Sequence, residues 1–460
     1  MDFEAGLQKL QDLTAQCTSD ATKYLASLFD DGSFTELDKF TKNGDVYCDV
    51  VTAYGLVDGV MTFAFAQNSG IGGAMGRVLS AKIKKVYTMA QKVGAPVISI
   101  FNSDGAHIDE GIEALEAYGE LMAYTASLSG VVPQISVVLG TCVGASAMMA
   151  VGADVVIMEK NAEMYVTSGT ILGEKSVGTS ELAANNGTAA YIAENEGDAL
   201  EKVKELISFL PQNNLSTPYF AEYIPSDSAI TSKNADEVIA AVTDANSFCE
   251  LYKDYAVCAK VGFARINGVS VGIVATNTDG EKICAAGADK MARFVRFLDA
   301  FSIPVITFVD SVGILGNTED EVSGGVKSAS KLSHAYAEAT TAKITVITGA
   351  ACGAIYIALC SKAAGIDSLF AWPTAYVSVL EPKTAVEFLL KDKLKEGVSR
   401  EDAEKEYIEG EASAIAAAQK GFIEDIVNPL ETAPKLSIAL DCLSSKRVST
   451  LNKKHSNIQL

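Results

Sequence analysis

The chain has 460 residues, is 48% hydrophobic and carries a formal net charge of −21 at neutral pH. That length allows roughly two to four domains with large apolar cores, and the acidic charge disfavours nucleic acid and anionic membranes as partners. No apolar run is long enough to span a membrane and the N-terminal residues lack a signal-peptide profile, so we expect a cytoplasmic protein. The nine cysteines form no Cys-x-x-Cys pair and only three histidines are present. We therefore expect reduced, mostly buried thiols, no metal site and no Ser-His-Asp triad.

The first half of the chain is predicted to alternate strands with helices, after a helical lead-in that ends at the turn 30–33. In chain order we expect a strand at 60–66, a helix at about 74–93, a strand at 97–101, a helix at about 109–128, a strand at 135–139 and a helix around 144–151. Alternation of this kind, with continuously apolar strands, indicates an α/β fold whose sheet faces are covered.

The second half repeats the first at an offset of about 208 to 213 residues. Residues 96–105 return as 304–313, and residues 135–145 return as 344–354. The offset is far too long for a solenoid period, so two copies of one domain are the economical interpretation. We place the domains at 1–230 and 231–460, and the segment 210–244, rich in Pro, Asn and Ser, connects them.

Four loops are predicted to follow buried strands, two in each copy. They cover residues 102–107, 140–146, 310–317 and 349–355. Glycine in such a loop exposes backbone N–H groups, and a following helix adds its positive end, so the loop can hold the oxyanion of an enolate or a tetrahedral centre. A purely structural turn also fits each loop, and recurrence in both copies makes two ligand sites an alternative of equal weight.

Candidate sites for a phosphate-bearing ligand are less specific. Two cationic trios, Lys82 with Lys84 and Lys85 and Lys290 with Arg293 and Arg296, fit either a small anion or a solvated helix face. The Gly-rich segment 69–76 fits either a cradle for a phosphate or pantetheine arm or a plain turn.

The chain resembles the carboxyltransferase subunits of biotin-dependent acyl-CoA carboxylases, which are relatives of propionyl-CoA carboxylase beta chains and of decarboxylase alpha subunits. The most specific blocks are 261–268 and 292–301, with shorter matches at 335–340 and 371–375. The resemblance extends over nearly the whole chain, from residue 28 to the C-terminus.

This resemblance implies two tandem crotonase-like (ClpP/crotonase) domains of stacked ββα units, assembled as a homohexamer, a trimer of dimers. It implies transfer of a carboxyl group between carboxybiotin and an acyl-CoA, such as acetyl-, propionyl- or methylmalonyl-CoA, through an enolate held by backbone N–H groups. The site is expected between the N-terminal domain of one subunit and the C-terminal domain of another. Because the chain has no Ala-Met-Lys-Met motif, biotin is expected on a separate carrier protein. A biotin carboxylase subunit, or membrane subunits of a decarboxylase, are the other expected partners.

By the same resemblance, the oxyanion-binding N–H pairs map to Asp104–Gly105 and Gly353–Ala354. The substrate-binding positions map to loop and helix-entry residues of both copies, and the last of them bears on acyl size: Ala106, Gly140, Gly144, Ala145, Gly313, Ile355 and Tyr356.

The chain departs from the family pattern at 103–107, at 180–184, at Tyr356 and at 380–382, and two of these positions leave alternatives open. Asp104 stands where the family has glycine, and Glu381 lies where a Met-Gly-Ala loop is usual. A positive φ at Asp104 is expected to cost about 1 kcal/mol or more and to bring its carboxylate near an oxyanion. The alternatives are the alpha subunit of a sodium-pumping acyl-CoA decarboxylase, a stand-alone crotonase-type hydratase or hydrolase, and a degenerate scaffold subunit without turnover.

Overall fold

The computed structural model describes residues 3–43, 46–47, 50–68 and 74–458, so most of the Gly-rich segment 69–76 lies outside the described residues. The chain divides into two compact units, Met1–Pro218 and Tyr219–Leu460. Each unit is an α/β structure built on a sheet of mostly parallel strands, and the predicted fold class is confirmed. Within the described residues, no helix is both long enough and apolar enough to cross a membrane.

The strands of the first unit are β1 (Thr35–Leu37), β2 (Lys42–Asn43), β3 (Val46–Tyr47), β4 (Val50–Val57), β5 (Val60–Gln67), β6 (Val97–Ser103), β7 (Gln134–Val143), β8 (Val155–Glu159), β9 (Glu163–Tyr165) and β10 (Tyr191–Ala193). Its helices are α1 (Phe3–Cys17), α2 (Asp20–Leu28), α3 (Arg77–Val93), α4 (Ile112–Leu128), α5 (Ala145–Val151), α6 (Gly169–Leu172), α7 (Ser180–Asn185) and α8 (Glu196–Phe209).

The strands of the second unit are β11 (Cys249–Leu251), β12 (Ala259–Ile266), β13 (Val269–Thr276), β14 (Val305–Ser311), β15 (Lys343–Cys352), β16 (Ser368–Ala371), β17 (Tyr376–Ser378) and β18 (Asp425–Ile426). Its helices are α9 (Ala235–Val242), α10 (Ala285–Ala300), α11 (Thr318–Val322), α12 (Gly325–Glu338), α13 (Pro382–Leu389), α14 (Lys391–Lys395), α15 (Arg400–Glu409), α16 (Ala414–Gln419) and α17 (Thr432–Leu443).

The two sheets have the same topology, as the sequence repeat predicts. The strand order is β1-β4-β5-β6-β7-β8-β10 in the first unit and β11-β12-β13-β14-β15-β16-β18 in the second. In each unit the first pairings are antiparallel and the central ones are parallel. The end of the long central strand leaves this sheet path to pair with one further strand, β9 with β7 and β17 with β15.

The core of the first unit lies between its sheet and the helices α3 and α4. In the second unit, α9 and α17 pack on one face of the sheet, and α10 packs against β12 and α12. In the second unit the ring of Phe263 on β12 packs edge-on against Phe294 and Phe297 of α10, with ring centroids 5.3 and 5.7 Å apart. Such edge-to-face pairs add to the free energy of apolar burial. The two longest blocks that resemble the family are therefore in contact through this aromatic cluster.

The predicted starts of two loops are wrong. The loops predicted from Gly140 and Gly349 onward begin too early, because β7 continues to Val143 and β15 to Cys352. The segment 210–244, which stays the predicted connection, also contains the short helix α9. This helix begins after Asn234, whose side chain accepts the backbone N–H of Asp236. Its apolar face is only two turns long, and that is too short for a clear helical period.

The first lysine of each cationic trio, Lys82 or Lys290, is not a ligand-binding group. Lys82 is buried and donates to the Val50 carbonyl at 2.7 Å, and Lys290 is buried and donates to the carbonyls of Tyr252, Tyr255 and Ala259 at 2.7 to 2.8 Å. Burial lowers the pKa of Lys290 to about 8. Three of the other cations form ion pairs within their own unit: Lys84–Glu120, Lys85–Asp38 and Arg296–Glu338.

Replacing Lys290 with methionine tests this structural role. The variant Lys290→Met leaves three carbonyl oxygens without their donor, so we expect the free energy of unfolding to fall by about 3 kcal/mol. Chemical denaturation is the measurement, and Lys327→Met, at an exposed position of α12, is the matched control. Equal stability of the two variants would contradict the assignment.

Candidate functional site

In each unit the long central strand, β7 or β15, pairs with the strand before it, β6 or β14. The register of this pairing changes near the carboxyl end. On β6, Phe101 pairs with Val138, but Ser103 pairs with Cys142. The neighbouring strand therefore carries extra residues opposite the end of β6, and β14 and β15 show the same shift. A bulge of this kind bends a strand and redirects the chain beyond it.

A side chain at each bulge takes the place of the missing backbone partner. Asn102 Oδ1 accepts the backbone N–H of Thr141 at 3.3 Å. In the second unit, Asp310 Oδ1 accepts the backbone N–H of Ala350 at 2.6 Å. These two polar residues occupy equivalent positions of the repeat, one as an amide and the other as a carboxylate.

The glycine beside each bulge makes room for that side chain. A Cβ atom on Gly140 would clash with Asn102 Oδ1, and a Cβ atom on Gly349 would clash with Asp310 Oδ1. Both glycines lie within strands rather than loops. Close packing against a polar side chain, and not a turn, therefore explains why glycine stands at these positions.

The residue after each long central strand is a glycine with a positive φ, +61° at Gly144 and +54° at Gly353. The N–H of Gly144 donates to the Tyr165 carbonyl at 2.8 Å, and the N–H of Gly353 donates to the Ser378 carbonyl at 2.9 Å. The predicted pair Gly353–Ala354 thus contains one N–H that is already engaged within the unit.

The residue after each glycine begins a helical turn. Ala145 is the first residue of α5, and Ala354 begins the helical segment that continues as the π-helical turn Tyr356–Cys360. N–H groups in the first turn have no acceptor within their own helix. Ala145 and Ala354 therefore carry, at equivalent positions, N–H groups without an acceptor in their own helix, and Ala145 is a partly exposed and Ala354 an exposed residue.

A second glycine loop approaches the same strand end in each unit. Gly105 has a φ of +96° and Gly313 a φ of +159°, and both are buried. The N–H of each lies near the hydroxyl two residues earlier, Ser103 Oγ at 3.3 Å and Ser311 Oγ at 3.4 Å. A hypothetical Cβ on Gly105 would lie 3.2 Å from a Val143 methyl group, and so this loop lies beside the end of β7.

The backbone strain considered for Asp104 is absent. Asp104 is not among the residues with positive φ, because the neighbouring Gly105 takes the unusual conformation. Its side chain is exposed. The departure from the family pattern at this position therefore leaves the loop geometry intact.

The second departure, Glu381, is charge-compensated. Glu381 precedes α13, and its carboxylate lies 3.8 Å from Lys282 Nζ. The Lys282 stem lies about 3.5 Å from the position of a hypothetical Cβ on Gly313. A hypothetical Cβ on Gly353 would lie 3.2 Å from the carbonyl of Val379, which is two residues before Glu381. The ion pair therefore borders both glycine loops of the second unit.

The remaining predicted substrate-binding residues lie on the elements that frame these loops. Ala106 forms a parallel bridge with Met75. Ile355 is fully buried beneath the helical turn that begins at Ala354. Tyr356 is partly buried in the same turn, and burial raises the pKa of its hydroxyl.

The chemistry of these sites is that of neutral backbone donors. Burial raises the pKa of Cys142 and of Cys352, each at the end of a central strand, to about 12. Both thiols are protonated near neutral pH and supply neither a nucleophile nor a base. Within the described parts of the chain, no cluster of three or more His, Cys, Asp or Glu side chains is placed to hold a metal ion.

A polar cleft of about 480 Å³ opens beside Asp310 in the second unit. Its volume is in the range of small-molecule sites. It is lined by Ser232, Lys233, Asn234, Ala235, Thr276, Asn277, Thr278, Asp279, Gly280, Asp310 and Tyr376. Lys282 was not predicted as a site residue, and Asn102 and Asp310 were predicted only as the first residues of two candidate loops. The repeat contained the signal for Asn102 and Asp310, because one polar residue follows the equivalent strand in each copy.

Adding a methyl group to Gly349 tests the packing at the bulge. Gly349→Ala displaces the Asp310 carboxylate from the Ala350 N–H, so the free energy of unfolding is expected to fall by about 1–3 kcal/mol. In the double variant, Asp310→Ala removes the clash. The loss in free energy of unfolding is therefore expected to be smaller than the sum of the losses in the two single variants. The control is Gly119→Ala in α4, where a Cβ meets no atom within 4 Å. Additive losses would contradict the contact.

Comparison with known proteins identifies what this arrangement is similar to. The family model described as a carboxyl transferase domain matches residues 21–458. The methylmalonyl-CoA decarboxylase subunit alpha of Veillonella parvula is 36% identical, with 99% of this chain and 96% of that protein covered. The mitochondrial propionyl-CoA carboxylase beta chain of Rattus norvegicus is 36% identical, with 96% and 88% covered.

A solved structure gives the same result at the level of the backbone. The transcarboxylase 12S hexamer, a multienzyme core with methylmalonyl-coenzyme A and methylmalonic acid bound, superimposes with a TM-score of 0.93. The two chains are 30% identical and each is covered completely. The prediction of two crotonase-like domains is confirmed by this similarity.

Proposed function

The chain belongs to the carboxyl transferase domain family, and we propose that it is a carboxyltransferase that moves a carboxyl group between carboxybiotin and an acyl-CoA. The acyl group we propose is the propionyl/methylmalonyl pair. Relatives named for methylmalonyl-CoA and for propionyl-CoA support this choice, as does the related transcarboxylase core with methylmalonyl-coenzyme A bound.

The observation that carries the proposal is the pair of equivalent backbone donors at Ala145 and Ala354. Carboxyl transfer uses two carbonyl acceptors, the thioester and the biotin ureido group. Each becomes more negative as the bond to the carboxyl group forms or breaks, and a fixed N–H donor stabilises that charge. In this proposal, the N–H of Ala354 binds one oxygen and the N–H of Ala145 the other, while Gly353 and Gly144 supply the positive φ that orients them.

The proton chemistry fits the same proposal. The buried thiols Cys142 and Cys352 are neutral, and the mechanism needs no side-chain base if the ureido nitrogen itself accepts the α-proton. The chain's role is then to align the two ligands, stabilise the enolate and exclude competing acids. Asn102 and Asp310 act as positioning residues, because they fix the strand bends from which the donors emerge.

For partners we propose a biotin carrier on another polypeptide and a homohexamer like that of transcarboxylase 12S. The direction of transfer depends on the partner subunits. The Veillonella relative is named as a decarboxylase subunit, which favours removal of the carboxyl group as a second candidate direction, with membrane subunits as the partners.

Carboxyl transfer to free biocytin tests the proposed reaction. The purified chain is incubated with malonyl-, methylmalonyl- or glutaconyl-CoA, with and without biocytin, and the acyl-CoA products are followed by mass spectrometry. We expect propionyl-CoA to form from methylmalonyl-CoA only when biocytin is present. Absence of transfer from every thioester, with the assembly intact, would favour the scaffold alternative.

Removing the backbone N–H of Ala354 by substitution with proline tests its role as a donor. Proline is tolerated at the first helical position but has no N–H, so Ala354→Pro is expected to lower kcat by about 10²–10³-fold. The melting temperature should change little. The control is Arg400→Pro at the first position of α15, where the preceding Ser399 has a ψ of 150°, which is compatible with proline. Full activity of Ala354→Pro would refute the assigned donor.

A further inference from the structure

Two cysteines of the second unit are in contact without being bonded. Cys258 immediately precedes β12 and Cys284 immediately precedes α10. Their Sγ atoms lie 2.9 Å apart, and both residues are partly exposed. The proposed carboxyl transfer uses neither of them.

The surrounding backbone is built to hold this pair. Cys258 Sγ accepts the backbone N–H of Cys284 at 3.3 Å, and Cys284 Sγ accepts the N–H of Gly287 at 3.4 Å. A Cβ atom on Gly287 would lie 2.5 Å from Cys258 Sγ. Glycine at this helix position therefore leaves the space that the second sulfur occupies.

The two thiols differ in acidity. Cys284 is the N-cap of α10, and the hydrogen bonds from Cys258 and from the Gly287 N–H, opposed by burial, lower the pKa of its thiol. The hydrogen bond between the two thiols, together with burial, raises the pKa of Cys258. Cys284, at the positive end of α10, is therefore suited to the role of the attacking cysteine, and Cys258 to that of the resolving cysteine.

We propose that Cys258 and Cys284 are a reversible redox site, at which a low-molecular-weight disulfide such as oxidised glutathione converts the dithiol to an intramolecular disulfide. The Cys284 thiolate attacks one sulfur of the oxidant, so a mixed disulfide forms and one thiolate leaves. Cys258 then attacks Cys284 Sγ, the mixed disulfide breaks, and the Cys258 proton goes to the leaving thiolate. Two protein thiols are oxidised and one disulfide is reduced to two thiols, which balances the exchange.

The redox site is connected to the candidate functional site through one residue. Ile283, adjacent to Cys284, donates its N–H to the Gly313 carbonyl at 3.0 Å and accepts from the Leu315 N–H at 2.9 Å. A disulfide brings the two sulfurs to about 2.05 Å, so Cys284 and the bridge beside it have to move. We therefore expect the oxidised protein to hold the Gly313 loop differently and to transfer carboxyl groups more slowly. This second step rests on the proposed function.

Thiol mapping in glutathione redox buffers tests the site without any activity assay. The full chain is equilibrated at graded ratios of oxidised to reduced glutathione, alkylated and digested, and its peptides are identified by mass spectrometry. We expect a peptide pair linked through Cys258 and Cys284, with the link reversed by dithiothreitol. A reduced Cys258–Cys284 pair in the most oxidising buffer, while the exposed Cys442 is glutathionylated, would overturn the proposal.

Matched variants separate the two roles. In Cys258→Ser the hydroxyl still donates to Cys284 but does not resolve the mixed disulfide, so a glutathione adduct is expected to accumulate on Cys284. In Cys284→Ser no adduct is expected on Cys258, and Cys442→Ser should behave as the wild type does. An adduct that forms equally on Cys258 and Cys284 in the single variants would contradict the assigned order of attack.

Transfer to biocytin, measured on the same samples, distinguishes the two proposals. A link that forms in a protein without transfer activity in either redox state would refute the proposed function and leave the redox site standing. Transfer activity in a protein that forms no link would refute the redox site. A reversible loss of transfer that tracks the link, absent from Cys284→Ser, which forms neither link nor adduct at this site, is the expected result, and a link without such a loss would refute the coupling to the Gly313 loop.

Discussion

The glycine loops of both units depend on one interaction, a hydrogen bond at the strand bulge. In this bond a side chain takes the place of a backbone partner. Asn102 in one unit and Asp310 in the other satisfy an N–H of the neighbouring central strand, and Gly140 and Gly349 leave the space they need. Because each bulge is stabilised in this way, the end of the strand is free to pair with β9 or β17. Gly144 and Gly353, which have positive φ, donate their N–H groups to carbonyls of β9 and β17, and Ala145 and Ala354 follow them.

Much of this architecture was predictable from the sequence. The repeat between 96–105 and 304–313 predicted two domains of one design, and the apolar runs predicted the central strands within a few residues. The full length of β7 and β15 was not predictable, because a glycine inside a strand has the same local signature as a glycine in a turn. Only the tertiary contact with Asn102 or Asp310 distinguishes the two cases.

The charged residues were the hardest to assign. Lys82 and Lys290 stand on helices in cationic trios, yet each ammonium is buried against backbone carbonyls. Helical periodicity alone does not separate a lysine on a solvated face from one that reaches across to an irregular segment. Asp104 was uncertain for a similar reason, because the sequence does not show whether it or Gly105 takes the positive φ.

The two units share a backbone design but differ in charge near their glycine loops. The second unit has the Lys282–Glu381 ion pair beside Gly313 and Gly353, whereas the repeat places the uncharged Ala74 and Ser168 at the equivalent positions of the first unit. This asymmetry suits two carbonyl ligands of different chemistry, one at each donor. The Cys258–Cys284 pair also belongs to the second unit, where Ile283 connects it to the Gly313 loop.

Amide hydrogen exchange of the chain with each ligand alone tests most directly whether the two turns bind two different ligands. Exchange is followed by mass spectrometry in peptides that contain Gly144–Ala145 or Gly353–Ala354. The account predicts that propionyl-CoA slows exchange at one turn, that biocytin slows it at the other, and that both ligands together slow it at both. Protection of the same turn by both ligands, or of neither turn by either, would contradict the account.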